Sequence, residues 1–199
     1  MGYTEKEIAI FDGVIKLIKS GIDPYLIKVQ EIAAAANVGK GTIYDYFRTK
    51  EEAISKAILY NLQHEIEAAY AQIQDKTSFK AKFEALLDTI SEFFDNNSST
   101  LNLLLAAGGI QEFYSYLRHE QFNLRQIAAK VKTIVEHLLH YGYQEGVLNL
   151  QESPYYQQMA LHGAVSGFVQ YLGQKELYAQ LTVEEAKSVA YKLLLKALN

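Results

Sequence analysis

Apolar residues recur at helical spacing along nearly the whole chain. Ile8, Phe11, Ile15 and Ile18 mark a first amphipathic segment. Ile54, Ile58, Leu62, Ile66, Ala69 and Ile73 mark a long one, followed by Phe79, Phe83, Leu86, Leu87, Ile90 and Phe94. Later come Ile127, Val131, Ile134, Val135 and Leu138, and finally Val183, Ala186, Val189, Ala190, Leu193, Leu194 and Ala197. This three-and-four rhythm puts each set on one helix face, and no sustained period-two alternation competes with it. The expected fold class is all-α, with about nine helices.

Polar and glycine-bearing breaks separate the segments. Pro24 falls in a turn from Gly21 to Tyr25, and the stretches at 74–78 and 96–100 carry Ser, Thr, Asn and Asp suited to N-caps. Gly108-Gly109 should end a short helix, and Gly142 and Gly146 should end a long one. Ser153-Pro154 reads as an N-cap followed by the first helical position.

One interruption differs in kind. Val29 to Ala36 has the pattern of a short helix, with Val29, Ile32, Ala33 and Ala36 facing inward. Asn37 tolerates the left-handed backbone needed just past a helix end, and Val38 returns an apolar side chain to the core. A second helix then begins at Gly39, anchored by Ile43 and Phe47, and small Ala33 permits a close crossing. The result is a helix-turn-helix. Lys40, Gly41, Thr42, Tyr44 and Tyr46 remain on the outer face of the second helix. Glycine inside a helix costs about 1 kcal/mol against alanine, a cost that close approach to a ligand or phosphate would justify. Thr49 and Glu52 have capping-box spacing, which starts the next helix sharply and leaves Lys50 at an anion-favouring N-terminus.

Charge narrows the partners. The 199-residue chain carries a net charge of -4, which argues against bulk binding to nucleic acid. Positive charge is local instead: Lys40, Arg48 and Lys50 outweigh Asp45 between positions 39 and 50. No cysteine is present, which removes disulfides and thiolate metal sites. The N-terminal residues lack signal-peptide character, so the expected compartment is the cytoplasm.

The run VQEIAAAANVGKGTIYDYFRTKEEAI resembles the DNA-binding signature of the TetR family of bacterial repressors. The resemblance implies a helix-turn-helix domain over 1–52 and a helical effector-binding and dimerisation domain over 53–199. It also implies a homodimer on double-stranded operator DNA, released by a small-molecule effector. Carried over by position, Lys40, Gly41, Thr42 and Tyr44 lie in or beside the major groove, and Gln30, Tyr46 and Lys50 hold phosphates. Three positions depart from the family pattern: Gly39 replaces the usual capping Ser, Lys28 replaces the usual Thr, and Asp45 stands where a neutral or basic residue is common.

Beyond the motif the chain says less. Residues 153–174 hold no charged side chain, and Gly163 and Gly167 form a GxxxG. Gln157, Gln158, His162, Ser166 and Gln170 are dispersed through that stretch, so a buried or dimer-forming helix fits it better than a membrane span. Ala160, Gly163, Ala164, Gly167 and Tyr171, together with Val189 and Leu193 of the last helix, form the expected dimer interface. Phe83, Phe94, Phe113, Tyr114, Phe122 and Phe168 are candidates to line a cavity for a largely apolar or aromatic effector. His137 and His140 share a face beside Glu136, without a spacing that compels a metal site. No arrangement compels a catalytic reading, so no catalytic residue, metal or cofactor is assigned. The rival expectation is a non-inducible DNA-binding protein controlled by a protein partner.

Overall fold

Local chemistry at the ends of each apolar segment sets the helices. A computed structural model describes residues 2–24, 26–95, 121–149 and 151–199. Among these residues there are eight α-helices: α1 (Glu5–Lys19), α2 (Val29–Ala35), α3 (Lys40–Tyr46), α4 (Lys50–Gln74), α5 (Phe79–Asp95), α6 (Gln121–Gln144), α7 (Pro154–Gly173) and α8 (Val183–Leu198). A 3-10 turn over Lys175–Tyr178 joins the last two. The polar stretch at 96–100 and the Gly108-Gly109 pair lie outside the described residues.

The chain forms two compact units. The first runs to Ile66 and includes the start of α6 up to Ala128; the second holds Glu67–Asp95 and Ala129–Asn199. Helices α4 and α6 each contribute to both.

In the first unit, α1 opens on a reciprocal cap. The Glu7 N–H donates to the Thr4 hydroxyl at 3.3 Å, and the Thr4 N–H donates to the Glu7 carboxylate at 2.8 Å. Ile10, Phe11, Val14, Ile15 and Ile18 then bury one face of α1 against Ile32, Ala33, Ile43, Phe47, Ile54 and Ile58. Gly13 sits where α1 meets α2: a Cβ added there would lie 2.9 Å from the Ala36 backbone nitrogen. Gly21 adopts φ 91° and closes α1.

The second unit has its own core, including Phe79, Phe83, Leu87, Leu138, Leu161, Phe168 and Leu194. Ser153 caps α7 by accepting from the Tyr156 N–H at 3.3 Å, with Pro154 at the first helical position. Gly146 takes φ 68° just past the end of α6. Gly142 lies two residues inside that helix, where an added Cβ would be 2.5 Å from a Leu148 methyl. Lys82 is fully buried; its ammonium donates to the Ile73 and Gln74 carbonyls at 3.1 and 3.0 Å, closing the C-terminus of α4, and lies 4.2 Å from the Tyr141 ring centre. Among the described residues, no helix is long and apolar enough to cross a membrane.

Candidate nucleic-acid interface

The turn between α2 and α3 is built from hydrogen bonds that the local sequence can supply. Asn37 takes φ 53° and is the one described non-glycine residue with positive φ. Its N–H donates to the Ala34 carbonyl at 3.2 Å, and the Val38 N–H donates to the Ala33 carbonyl at 2.9 Å. That pair is the Schellman closure of a helix. Val38 then packs against the core. At the other end of α2, Glu31 accepts from the Lys28 N–H at 2.7 Å, so half of a capping box survives although Lys28 offers no acceptor of its own.

Gly39 caps α3 with backbone alone, at φ -70° and ψ 149°. Ile43 is 0% and Phe47 is 1% exposed, and these two side chains fix the helix to the core. Burying each contributes about 1.5–3 kcal/mol, enough to hold a seven-residue helix that would not persist alone.

The polar residues are thereby held outward. Lys40, Gly41 and Tyr44 are exposed, as is Tyr46 at the far end, while Thr42 is half-buried beside the cap. Gln30 is exposed on α2. No described residue lies within 4 Å of a Cβ built at Gly41, so the backbone there is open to close approach. Lys50 is half-buried and lies 3.7 Å from the Glu51 carboxylate, which dilutes its charge at the start of α4. Two exposed residues, Asp45 and Arg48, stand near this surface without belonging to the set derived from sequence. Arg48 was visible there as local positive charge, and Asp45 as a family departure.

The expected capping box of α4 has an altered geometry. The Glu52 N–H donates to the Thr49 hydroxyl at 3.1 Å, as the spacing requires. The Glu52 carboxylate, however, accepts from the Arg48 N–H at 2.7 Å, one residue further back. Partial burial alone would raise the Glu52 pKa, but the Lys56 ammonium at 2.7 Å and the Arg48 N–H together outweigh it and hold the carboxyl below its ordinary value. Lys56 also lies 5.7 Å from the Phe47 ring centre, so the end of α3 is fastened to the start of α4.

The remaining sequence-derived sites lie in the second unit or outside the described residues. Gly163, Gly167, Val189 and Leu193 are exposed on one side of α7 and α8, Ala160 is half-buried, and Ala164 and Tyr171 are buried. The Tyr171 hydroxyl donates to the Leu181 carbonyl at 2.7 Å, a bond within the protomer. Ala164, Gly167, Tyr171, Val189 and Leu193 line a groove of about 190 Å³. Phe83 is fully buried, with Phe79 and Tyr191 ring centres at 6.3 and 5.8 Å. Phe168 packs on Tyr171 at 6.2 Å, and Phe94 is half-buried near Gly173. Phe113, Tyr114 and the side chain of Phe122 lie outside the described residues. His137 packs between Tyr70 and Tyr141, and among the described residues no group of three His, Asp or Glu is placed to hold a metal ion.

Residues 26–60, from the end of the first turn into α4, match the family model described as bacterial regulatory proteins, tetR family. The whole fold is similar to that of a tetR-family protein from Vibrio parahaemolyticus described as a putative transcriptional regulator, with TM-score 0.67, 20% identity and 98% of each chain covered. It is also similar to a protein described as superantigen PfiT, with TM-score 0.72, 16% identity, and 100% of this chain and 99% of that one covered. A third likeness is to the transcriptional regulator FadR from Bacillus subtilis, in complex with stearoyl-CoA, with TM-score 0.62, 18% identity, and 96% of this chain and 97% of that one covered. At these identities the likenesses establish the fold alone. No curated protein matches the sequence.

Proposed function

We propose that this chain, whose residues 26–60 match the family model of the tetR bacterial regulatory proteins, is a transcriptional repressor acting as a cytoplasmic homodimer. The observation that carries this reading is the outer face of α3: an open backbone at Gly41 flanked by exposed Lys40 and Tyr44, on a helix pinned by Ile43 and Phe47. Lys40, Gly41, Thr42 and Tyr44 enter or border the major groove. Gln30, Tyr46 and Lys50 hold phosphates and set the register, which is how backbone contacts act. Two copies of α3 reach successive major grooves when they stand about 34 Å apart.

The exposed side of α7 and α8 supplies the partner surface. Among the described residues, Gly163 and Gly167 have no neighbour within 4 Å of an added Cβ, and Val189 and Leu193 are 49% and 52% exposed. Small residues permit close helix approach and a two-fold pairing of α7 and α8 would cover this face. The effector is small and largely apolar or aromatic. The aromatic content of 15 Tyr and 9 Phe supports this, as does the long acyl chain of the stearoyl-CoA bound by the Bacillus subtilis FadR. An effector that favours another spacing of the two α3 helices lowers operator affinity. Moving that equilibrium from 1:99 to 99:1 takes a preference of about 5.5 kcal/mol.

Binding to a selected duplex should fall steeply with salt, because local cations must work against a net charge of -4. Fluorescence anisotropy over a salt series tests the assignments. Lys50→Ala should weaken binding to all sequences and flatten the salt slope by about 1; an unchanged slope removes its phosphate role. Tyr44→Ala should lose more on the selected site than on random duplex, and equal losses refute its place at the groove. A long-chain acyl-CoA added to the complex should release the DNA, and a complex that survives saturating ligand eliminates that effector class.

A further inference from the structure

Asp45 is an acid on a helix proposed to meet a polyanion, and none of the roles above uses it. An α-helix turns about 100° per residue, so positions two before and two after a given residue point about 200° away from it. Ile43 is the residue of α3 at 0% exposure. The two positions on the opposite line are Gly41 and Asp45, one turn apart, and both are exposed. Thr42 and Tyr44 flank this line, while Lys40 and Tyr46 stand at the two ends of the helix, exposed but further round from it.

A helix seated in the major groove turns the line opposite its buried anchor toward the groove floor and its flanks toward the walls. The floor-facing line of α3 therefore carries one bare backbone position and one carboxylate. With no Cβ at Gly41 and open space around that position, the helix can descend far enough for Asp45 to reach base edges. Asp45 has no hydrogen bond or ion pair with any described residue, so none of these residues engages its acceptor oxygens.

Base edges differ in what they offer such a group. Guanine shows acceptors N7 and O6, and thymine shows acceptor O4 and a methyl group. Adenine sets its amino group beside the N7 acceptor, which repels the second carboxylate oxygen. Cytosine shows an amino donor and no acceptor. We propose that Asp45 is a specificity-determining residue, accepting a hydrogen bond from the N4 amino group of one cytosine in each half-site. The assignment rests on the reading of α3 as the helix that enters the groove. It also gives the acid a use in discrimination: over guanine or thymine the carboxylate faces acceptors or a methyl group, and over adenine it faces the N7 acceptor beside the amino group.

Selection from a randomised duplex pool, read by sequencing, tests this with the wild-type chain, Asp45→Asn and Asp45→Ala. The wild type should favour cytosine about tenfold at one position of each half-site. Asp45→Asn should move that position alone to adenine, because an amide accepts from N6 and donates to N7. Asp45→Ala should lose the preference there and keep the rest of the site. Because the side chain is exposed, both variants should retain the wild-type circular dichroism. The same base retained at every position by both variants overturns the assignment and leaves the α3 reading standing, as does a wild-type preference at that position for any base but cytosine. Loss of all sequences equally in both variants also counts against it. A wild-type chain that enriches no sequence overturns the α3 reading and the assignment together.

Discussion

Gly13 sets how closely α1 can approach α2. In an exposed helix interior, replacing glycine with alanine stabilises by about 1 kcal/mol. Here the added methyl would stand 2.9 Å from a backbone nitrogen and 3.0 Å from the Ala36 Cβ, and a backbone neighbour cannot rotate aside. Gly13→Ala should therefore destabilise the chain by about 1–3 kcal/mol, measured by urea unfolding; a stabilised variant would show that the crossing is looser. His137 carries a pH dependence. Its Nε2 is buried without a hydrogen-bond partner among the described residues, and the described groups around it are Tyr70 from α4, Lys82 from α5, and His140 and Tyr141 from its own helix. Burial first, then the Lys82 ammonium and His140, hold its pKa below the ordinary imidazole value. The unfolded chain thus takes up this proton first as pH falls. The contribution is intact above about pH 6.5 and is lost as pH drops from there toward the folded value. His137→Gln should flatten the stability slope over that window, and an unflattened slope would place the titration elsewhere. Asn37 was legible in the sequence because its left-handed role is local. Gly13 and His137 were not, because their roles come from neighbours 23 residues away in Ala36 and 67 away in Tyr70.

Helices α2 and α3 and the turn between them could be read almost residue by residue. Each signal there is a short-range one: a Schellman closure at Asn37 and Val38, an apolar anchor at Ile43, a threonine cap at Thr49. The cap of α4 shows the limit of that reading, since the spacing of Thr49 and Glu52 fixed one bond and left the reach of the carboxylate to Arg48 undetermined. For α7 the small-residue stripe was visible, but its outward side was not. Its polar residues Gln158, His162, Ser166 and Gln170 are uncharged and interspersed with small ones, so they orient the helix only weakly. The structure turns Leu161, Ala164, Phe168 and Leu172 inward and leaves Gly163 and Gly167 open. If α7 and α8 pair across a two-fold axis, a double change of Val189 and Leu193 to aspartate should shift the chain to monomer in analytical ultracentrifugation, with helical content preserved. Both side chains are about half exposed, so a folded variant of unchanged mass would place the contact on another surface.

For the whole molecule, an acidic protein is proposed to bind an acidic polymer through one small surface. This division of labour is legible from charge alone: the sum is -4, while Lys40, Arg48 and Lys50 gather within eleven residues around Asp45. The place of an effector is less legible, because a ligand cavity and a core draw on the same aromatic residues. Phe83 and Phe168 illustrate this, both buried in the second unit's core. The account's central claim is that the outer face of α3 lies in the major groove. Dimethyl sulfate footprinting on a selected duplex reads that groove directly at guanine N7. Two protected patches, centred about one helical turn or a multiple of it apart, and lost together in Lys40→Ala/Tyr44→Ala, are the predicted result. Full occupancy of the duplex with unprotected guanine N7 throughout, or protection unaffected by that double substitution, would contradict it.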